Sequence, residues 1–293
     1  MPRAAEFHYQ HQPGNHSDVV KHVIFVQLIK EVQKKHPNGI VLVDTHAGPG
    51  IYDVSAQSPP AYRKGVCCAI DEAKYEQQRV FPEAVEDYLS IVSQGNEEEF
   101  GWYPGSPILG HQLLRNGVDK HRLCDMHQED FEALSGKAEF LQCDAFDPDS
   151  LDYIYPGDGG ENKKHRLIFI DPAYEDDEDY YHAKRLVENI LERDPSCTIM
   201  LSAPFIKNHK YRWSFSQGLK ELAKKKAQVG RFYASLTVGL SGLQGSAVAI
   251  FNPPKDFDDV VDDVCMDWLS KALREERSSD FVVEQFMKRQ PTK

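Results

Sequence analysis

The sequence has no long apolar run, and its N-terminus lacks the apolar core of a signal peptide. None of its apolar stretches approaches the roughly 18 residues that a membrane-spanning helix requires. These absences argue against a helical membrane protein, so we expect no membrane partner. They also lead us to expect a cytoplasmic protein.

Cysteine motifs are missing as well. The six cysteines include no CxxC pair and show no regular spacing, so neither a zinc knuckle nor a disulfide framework is indicated. We therefore expect reduced thiols, as in a cytoplasmic protein. The histidines near the N-terminus, His8, His11, His16 and His22, have no compact ligand spacing, and we expect no metal site.

A surplus of basic charge is the third absence. The formal net charge is −12, which argues against non-specific binding of nucleic acids through a generally basic surface. It leaves room for a local basic face. Lys207, Lys210 and Arg212 are interleaved with aromatic residues over residues 207–213, an arrangement that suits contact with RNA. The usual alternative for such a charge run is a solvated face.

The composition that remains is that of an ordinary globular protein. Of the 293 residues, 41% are hydrophobic and 27% are charged, which suits one large α/β domain with an insertion, or two small domains. We expect a monomer.

The chain is organised around a short apolar run, residues 167–170, that stops at Asp171, Pro172, Ala173 and Tyr174. Such a run indicates a buried parallel strand, and ligands in open α/β sheets bind beyond the carboxyl ends of such strands. The Asp171 carboxylate and the Pro172 carbonyl can accept hydrogen bonds from an amino group. The Tyr174 ring can stack on a flat heterocycle. On its own, the tetrapeptide is equally compatible with a solvated turn.

Three other predicted strands end at the acidic residues Asp44, Asp125 and Asp144. Asp44 leads into a loop of small residues, in which Gly48 allows close approach of a ligand to the backbone. At such positions Asp44 suits an ammonium group, Asp125 a pair of ribose hydroxyls and Asp144 the amino group of an adenine. S-Adenosyl-L-methionine carries all three groups and is the expected cofactor. A nicotinamide cofactor is the alternative, weakened because the third glycine of GxGxxG is missing.

The alternation of strands and helices predicts an α/β fold. We expect the class I S-adenosylmethionine-dependent methyltransferase fold, which is Rossmann-like, with a mostly parallel sheet and a terminal antiparallel strand, over residues 1–54 and 101–293. Residues 55–100 interrupt the alternation with two helical patterns, which predicts a small inserted helical subdomain. One helix is expected to begin after a cap at Ser17 or Asp18, and another after a cap at Ser106. The tail over residues 258–289 is predicted to be helical.

Four blocks of the sequence resemble a known family when they are read in order. They are GNHSDVVKH at residues 14–22, DTHAGPG at residues 44–50, YPGSP at residues 103–107 and the DPAY tetrapeptide at residues 171–174. Their order is similar to that in RlmJ-type 23S rRNA (adenine-N6)-methyltransferases, and the resemblance extends over nearly the whole chain. Ala173 departs from the second proline of the usual DPPY motif.

The resemblance implies N6-methylation of an adenine in 23S rRNA, with S-adenosyl-L-methionine as cofactor and protein-free rRNA or an early assembly intermediate as partner. It implies a catalytic group made of Asp171, Pro172 and Tyr174. The expected cofactor-binding residues are Lys21, His22, Asp44, His46, Gly48, Ser106, Asp125, Asp144 and Ala145. Residues expected to bind the target RNA are Phe7, Tyr9, Asn15, His16, Lys207, Lys210 and Arg212.

Two other functions compete with this interpretation. The same chemistry on DNA or on another RNA is disfavoured by the acidic balance and by the lack of a separate DNA-reading domain. A non-catalytic, cofactor-binding ribosome assembly factor is disfavoured because it would have no reason to retain Asp171, Pro172 and Tyr174.

Overall fold

The computed structural model describes residues 12–56, 60–75, 82–96, 99–126, 136–156, 164–206, 211–225, 230–237, 243–255, 257, 268–269, 272–273 and 279–285. The strands are β1 (Ile40–Asp44), β2 (Ile51–Asp53), β3 (Trp102–Pro104), β4 (Lys120–Asp125), β5 (Glu139–Gln142), β6 (His165–Ile170), β7 (Thr198–Ile206), β8 (Gly230–Thr237), β9 (Leu243–Phe251) and β10 (Ser279–Gln285). The α-helices are α1 (His16–Lys35), α2 (Val66–Tyr75), α3 (Glu83–Val92), α4 (Ser106–Leu113), α5 (Leu151–Ile154), α6 (Asp179–Arg193) and α7 (Tyr211–Lys225).

Within the described residues, eight strands form one sheet in the order β10-β8-β9-β7-β6-β1-β4-β5. Strands β7, β6, β1, β4 and β5 are parallel to one another. The other three strands, β9, β8 and β10, pair antiparallel. The chain proceeds from β1 to β4 and β5 on one side and then returns to β6 on the other, so the strand order reverses between β1 and β6. That reversal is the place where ligands bind in open α/β sheets.

The sheet is covered on both faces, which explains why its central strands are continuous apolar runs. Alternate residues of β1 and β6 face opposite layers: Leu42 and Phe169 pack with α1, and Val43 and Ile168 pack with α6 and α7. The ring of Phe25 on α1 stacks on Phe169 at 4.5 Å between centroids. Complete burial of such a side chain contributes roughly 2–3 kcal/mol.

The segment between β2 and β3 carries α2 and α3, and both helices pack against α1. Val85, Tyr88 and Val92 of α3 are completely buried in the same core as α1. Lys30 of α1 forms ion pairs with acidic residues of α3. The helices predicted over residues 55–100 are therefore present among the described residues, and the division of the chain into domains stays a prediction.

Helix α1 is buried on more than one side, because the polar residues His16, Asp18, His22 and Gln27 are buried along with its apolar ones. No helix in the described part of the chain is long and apolar enough to cross a membrane.

Three details of the predicted elements are wrong. The tail contains strand β10, which pairs with β8 over seven residues, because its β-branched and aromatic residues favour a strand. Helix α1 begins at His16 and is capped by Asn15, not by Ser17 or Asp18. Helix α4 begins at Ser106 after Gly105, so Ser106 is its first residue rather than its cap.

The expectation of reduced thiols is wrong for one pair of cysteines. Cys124 and Cys143 form a disulfide, with their Cα atoms 6.0 Å apart. Cys124 lies near the end of β4 and Cys143 directly follows β5, and these strands are parallel neighbours. A separation of 19 residues gives no sign of this proximity, because strand pairing rather than sequence spacing brings the two residues together.

Candidate functional site

A cleft of about 1240 Å³ opens at the carboxyl ends of the parallel strands, where the strand order reverses. The structure brings most of the predicted site residues to this cleft. Those that line it are Asn15, Lys21, His22, His46, Gly48, Ser106, Asp125, Asp144, Ala145, Asp171, Pro172 and Tyr174. The arrangement follows from the sheet, since the ends of parallel strands meet at the same edge.

The Asp171 carboxylate is paired with a lysine ammonium group from α1. Lys21 Nζ lies 2.6 Å from Asp171 Oδ2 and 2.6 Å from Asp18 Oδ1. Burial by itself would lower the pKa of Lys21, but the charges of Asp171 and Asp18 outweigh it and raise that pKa above its usual value. The lysine is therefore a cation held between two carboxylates, at the end of β6.

The start of α1 is built to place this lysine. Asn15 Oδ1 accepts hydrogen bonds from the backbone N–H groups of Ser17 and Asp18 at 2.7 and 3.1 Å. Asp18 Oδ2 accepts one from the Gly14 N–H at 2.8 Å. Asn15 also donates from Nδ2 to the Gln12 carbonyl. The polar atoms of Asn15 are thus used to start the helix, a structural role that the sequence does not indicate.

Tyr174 adopts an uncommon backbone conformation at the end of the tetrapeptide. Its φ is 54°, and a non-glycine residue in that region is strained by about 1–3 kcal/mol. Its hydroxyl donates to the Ser202 carbonyl on β7 at 2.7 Å, and its ring packs on Tyr180 with a centroid distance of 4.5 Å. These contacts fix the ring at the wall of the cleft.

Asp44 lies at the end of β1 and is completely buried. Burial raises its pKa to about 7, the charges of Asp171 and Asp125 act in the same direction, and the nearby Ser106 hydroxyl opposes them. Its Oδ1 accepts from the His46 N–H at 3.3 Å, whereas Oδ2 has no hydrogen-bond partner among the described residues. A buried acceptor of this kind can take a donor from a ligand.

Asp125 and the loop after β1 hold each other in place. The Gly48 N–H donates to Asp125 Oδ2 at 2.8 Å, and the Ala47 N–H donates to the Cys124 carbonyl at 3.1 Å. Gly48 has a φ of 62°, and a Cβ atom there would collide with the Tyr52 hydroxyl. The glycine is therefore required by the loop itself.

Asp144 and His46 form the wall of the cleft next to β5. Asp144 Oδ1 accepts from the Phe146 N–H at 2.8 Å. The Phe146 ring lies 4.9 Å from the His46 ring. Burial lowers the pKa of His46 to about 4, although the nearby charges of Asp171, Asp125 and Asp144 oppose it. His46 is thus a neutral side chain at pH 7.

His22 is linked to two buried tyrosines, Tyr103 in the lining of the cleft and Tyr88 behind it. Its Nδ1 lies 2.7 Å from Tyr103 Oη, and Tyr103 Oη lies 3.2 Å from Tyr88 Oη. Burial lowers the pKa of His22 well below its usual range, and the charge of Lys21 acts in the same direction. Tyr103 belongs to a block that the sequence already singles out, but nothing in the sequence indicates its link to α3.

Two of the described site residues, His16 and Asp44, are not part of the lining of the cleft. His16 is buried within α1, and Asp44 lies beneath the cleft. Phe7, Tyr9, Lys207 and Lys210 lie outside the described residues, and Arg212 is described only as backbone of α7. Sequence reasoning missed Asp18, whose spacing of three residues from Lys21 on a helix is a usable signal.

Comparison with known proteins places this geometry in a family. Residues 37–284 match the sequence model of the family described as ribosomal RNA large subunit methyltransferase D, RlmJ. The ribosomal RNA large subunit methyltransferase J of Haemophilus influenzae is 24% identical over 288 residues, which cover 95% of this chain and 97% of that protein. The protein of the same name from Escherichia coli K12 is 32% identical over 186 residues, which cover 59% of this chain and 61% of that protein.

A solved structure shares the fold. Protein LPL1258 of Legionella pneumophila superposes with a TM-score of 0.74 at 24% identity, covering 92% of this chain and 97% of that one. The predicted fold, a mostly parallel Rossmann-like sheet with antiparallel pairing at one edge, is thereby confirmed. With its family model matched over most of its length, the chain belongs to the RlmJ family of ribosomal RNA large subunit methyltransferases.

Proposed function

We propose that the protein transfers a methyl group from S-adenosyl-L-methionine to N6 of one adenine in 23S rRNA. The observation that carries the proposal is the position of Asp171 at the strand-order reversal, with its carboxylate held against the Lys21 ammonium at 2.6 Å. A nitrogen that donates hydrogen bonds already lies against this carboxylate, as the amino group of a target base would. The names of the relatives point to the same class of substrate.

The residues of the cleft fit the proposed cofactor. Asp44 has a buried oxygen without a partner among the described residues, and a ligand ammonium would satisfy it. Asp125 would accept from ribose hydroxyls while one of its oxygens still accepts from the Gly48 N–H. Asp144 and Ala145 would bind the adenine of the cofactor. S-Adenosyl-L-methionine supplies an activated methyl group, so the protein has mainly to align donor and acceptor.

Asp171 and Pro172 would hold the target amine. We assign Asp171 Oδ2 to Lys21 and Oδ1 to the N–H of the target, with the Pro172 carbonyl accepting the second N–H. Two such hydrogen bonds orient the nitrogen lone pair away from both acceptors. Lys21 would hold Asp171 in position through their ion pair, in addition to the cofactor-binding role expected of it. The amine proton leaves after transfer.

Tyr174 would form the wall against which the target base stacks. A base–aromatic stack contributes roughly 1–3 kcal/mol, similar to the cost of removing a base from its own stack. Contacts of Phe7, Tyr9, Asn15, His16, Lys207, Lys210 and Arg212 with the RNA stay predictions. So do a monomeric state, a cytoplasmic location and a preference for protein-free or early-assembly rRNA.

A labelling experiment tests the proposal. Protein and an Asp171→Ala variant are incubated with methyl-labelled S-adenosyl-L-methionine and either protein-free 23S rRNA or duplex DNA. We expect label in N6-methyladenine of the rRNA with the natural protein only. Unlabelled rRNA, or equal labelling by the variant, would contradict the proposal. Preferential labelling of DNA would favour the alternative substrate, and cofactor binding without any labelling would favour a non-catalytic assembly factor.

A further inference from the structure

Three buried rings connect the segment between β2 and β3 to the cleft. Tyr88 of α3, Tyr103 of β3 and His22 of α1 are 0%, 1% and 3% exposed. Their polar atoms form a continuous chain, with 3.2 Å from Tyr88 Oη to Tyr103 Oη and 2.7 Å from Tyr103 Oη to His22 Nδ1. The His22 and Tyr103 rings also stack, with centroids 5.7 Å apart. His22 and Tyr103 both line the cleft, whereas Tyr88 lies behind them.

The protonation of His22 limits how this chain can be arranged. Because burial and the Lys21 charge lower its pKa, the imidazole is neutral at pH 7, and one of its two nitrogens carries the proton. If Tyr103 donates its hydroxyl hydrogen to Nδ1, the proton of the imidazole resides on Nε2. The Tyr103 oxygen is then left to accept from Tyr88. If instead His22 Nδ1 donates to the Tyr103 oxygen, the proton resides on Nδ1 and Nε2 is left as an acceptor.

We propose that Tyr88 and Tyr103 are positioning residues that hold His22 in the tautomer with a proton on Nε2. His22 then offers a neutral N–H donor to the cleft beside the Lys21 cation, which suits the carboxylate of the methionine part of the cofactor. The assignment of this ligand group as the methionine carboxylate rests on the proposed function. The inference gives α3 a part in cofactor binding, although it provides no residue that lines the cleft.

A purely structural explanation is that buried tyrosine hydroxyls need hydrogen-bond partners. The two explanations differ in what the loss of a hydroxyl changes. In the structural case, Tyr→Phe lowers stability and affects every ligand alike. In the positioning case, it changes the His22 tautomer and affects only ligands that carry the carboxylate.

The experiment uses Tyr103→Phe and Tyr88→Phe, with Tyr62→Phe as the matched control. Tyr62 is a buried tyrosine near α2 that stacks on Phe100, and it lies outside the chain of hydrogen bonds. The His22 tautomer is read from the ¹⁵N chemical shifts of the ligand-free protein. Affinities for S-adenosyl-L-methionine and for methylthioadenosine, which lacks the carboxylate and the ammonium group, are measured by calorimetry.

We expect the Nε2–H tautomer in the natural protein and a mixture of tautomers in Tyr103→Phe. S-Adenosyl-L-methionine should bind about tenfold more weakly to Tyr103→Phe and about threefold more weakly to Tyr88→Phe, in the range of one lost hydrogen bond. Affinity for methylthioadenosine should not change in either variant. The Tyr62→Phe protein should behave as the natural protein does in all three measurements.

Three results would overturn the inference: an Nδ1–H or protonated His22 in the natural protein, equal weakening of both ligands, or variants that match Tyr62→Phe. Natural protein that binds neither compound would overturn the proposed cofactor and with it the carboxylate assignment. The tautomer measured without ligand decides the positioning role separately, so the two failures are distinguishable.

Discussion

The two ends of the parallel sheet both concentrate charged residues, but they use them differently. At the carboxyl end, acidic residues surround the large cleft, and the buried Asp44 has an oxygen that no described residue satisfies. At the amino end, basic residues surround a pocket of about 390 Å³. There Arg166 Nε donates to the Ile154 carbonyl at 3.1 Å, and its guanidinium lies 4.5 Å from the centre of the Tyr155 ring.

The partners of these charges explain the difference. Arg193 donates to Asp152 at 2.7 Å and to the Tyr155 carbonyl at 3.1 Å. Together with Arg166 it binds the carbonyls at the end of α5, where cations are favoured by the helix dipole. A buried charge whose hydrogen bonds are met by the fold stabilises the fold. Charged side chains that face a cleft indicate ligand binding. So does a buried acceptor beneath the cleft that has no hydrogen-bond donor among the described residues. The hydrogen-bond partners of a charged side chain therefore distinguish a structural role from a functional one better than its charge alone does.

The largest effect should come from the carboxyl end. Asp171→Asn keeps the size of the side chain but loses the negative charge that Lys21 and the target amine share. We expect the single-turnover rate of rRNA methylation to fall about a thousandfold, within the range for removal of one preorganised hydrogen-bonding group from an active site. The melting temperature should change little. A variant with more than a tenth of the natural rate would show that Asp171 does not hold the reacting amine.

At the amino end, Arg166→Met should have the opposite profile. It leaves the Ile154 carbonyl without its donor and removes the cation from the Tyr155 ring, so we expect a loss of about 2–4 kcal/mol in the free energy of unfolding. Urea denaturation measures this loss, and cofactor affinity should be unchanged. Arg193→Met is the matched control, because its side chain is 41% exposed and should cost less than about 1 kcal/mol. Equal losses of unfolding free energy in the Arg166→Met and Arg193→Met variants would contradict a structural role for the buried Arg166.

Asp44 predicts a pH dependence opposite in sign to that of His165 at the amino end, whose pKa burial lowers to about 4. Its pKa is about 7 in the folded protein against an ordinary value of 3.8, so between these values the folded state binds the extra proton. The contribution of Asp44 to the stability of the ligand-free protein should therefore fall as pH rises, by about 2 kcal/mol between pH 5 and pH 7. His46, His121 and His165, whose pKa values are lowered by burial, contribute in the opposite direction. Asp44→Asn should remove this part of the slope. Identical pH profiles of unfolding in the two proteins would show that Asp44 is ionised throughout.

The smallest effect concerns Asp125. Asp125→Asn retains an oxygen for the Gly48 N–H and loses one acceptor toward the ribose. We expect cofactor affinity to fall about tenfold, the value of one hydrogen bond to a charged group, with the fold unchanged. Calorimetry with S-adenosyl-L-methionine gives the affinity, and circular dichroism controls for the fold. Unchanged affinity would remove Asp125 from the ribose site.

The sequence allowed prediction of features that depend on neighbours in the chain. An apolar run that ends at an acidic residue is a pattern of neighbouring residues, so it can be recognised in the sequence. This pattern predicted the strands β1, β4 and β6 and placed the acidic residues that follow their apolar runs at one edge of the sheet. The pairing of Lys21 with Asp171 could not be predicted, because it depends on how α1 crosses the end of β6. The link from Tyr88 to His22 was missed for the same reason. The residues of β10 were predicted to be helical with the rest of the tail. Their pairing with β8, which is distant in sequence, makes them a strand, and a local pattern does not show that pairing.

The ribbon of β2 and β3 has a consequence for how this family architecture can vary. Ile51 pairs with Pro104 and Asp53 with Trp102, so the two ends of the segment between β2 and β3 lie next to each other. A segment closed in this way can be lengthened, shortened or exchanged without altering the path of any strand in the large sheet. What cannot be exchanged freely are the buried residues of α3 that pack with α1 and the hydrogen bond between the Tyr88 and Tyr103 hydroxyls. The segment is thus dispensable for the topology of the protein, while one of its atoms remains tied to the binding site.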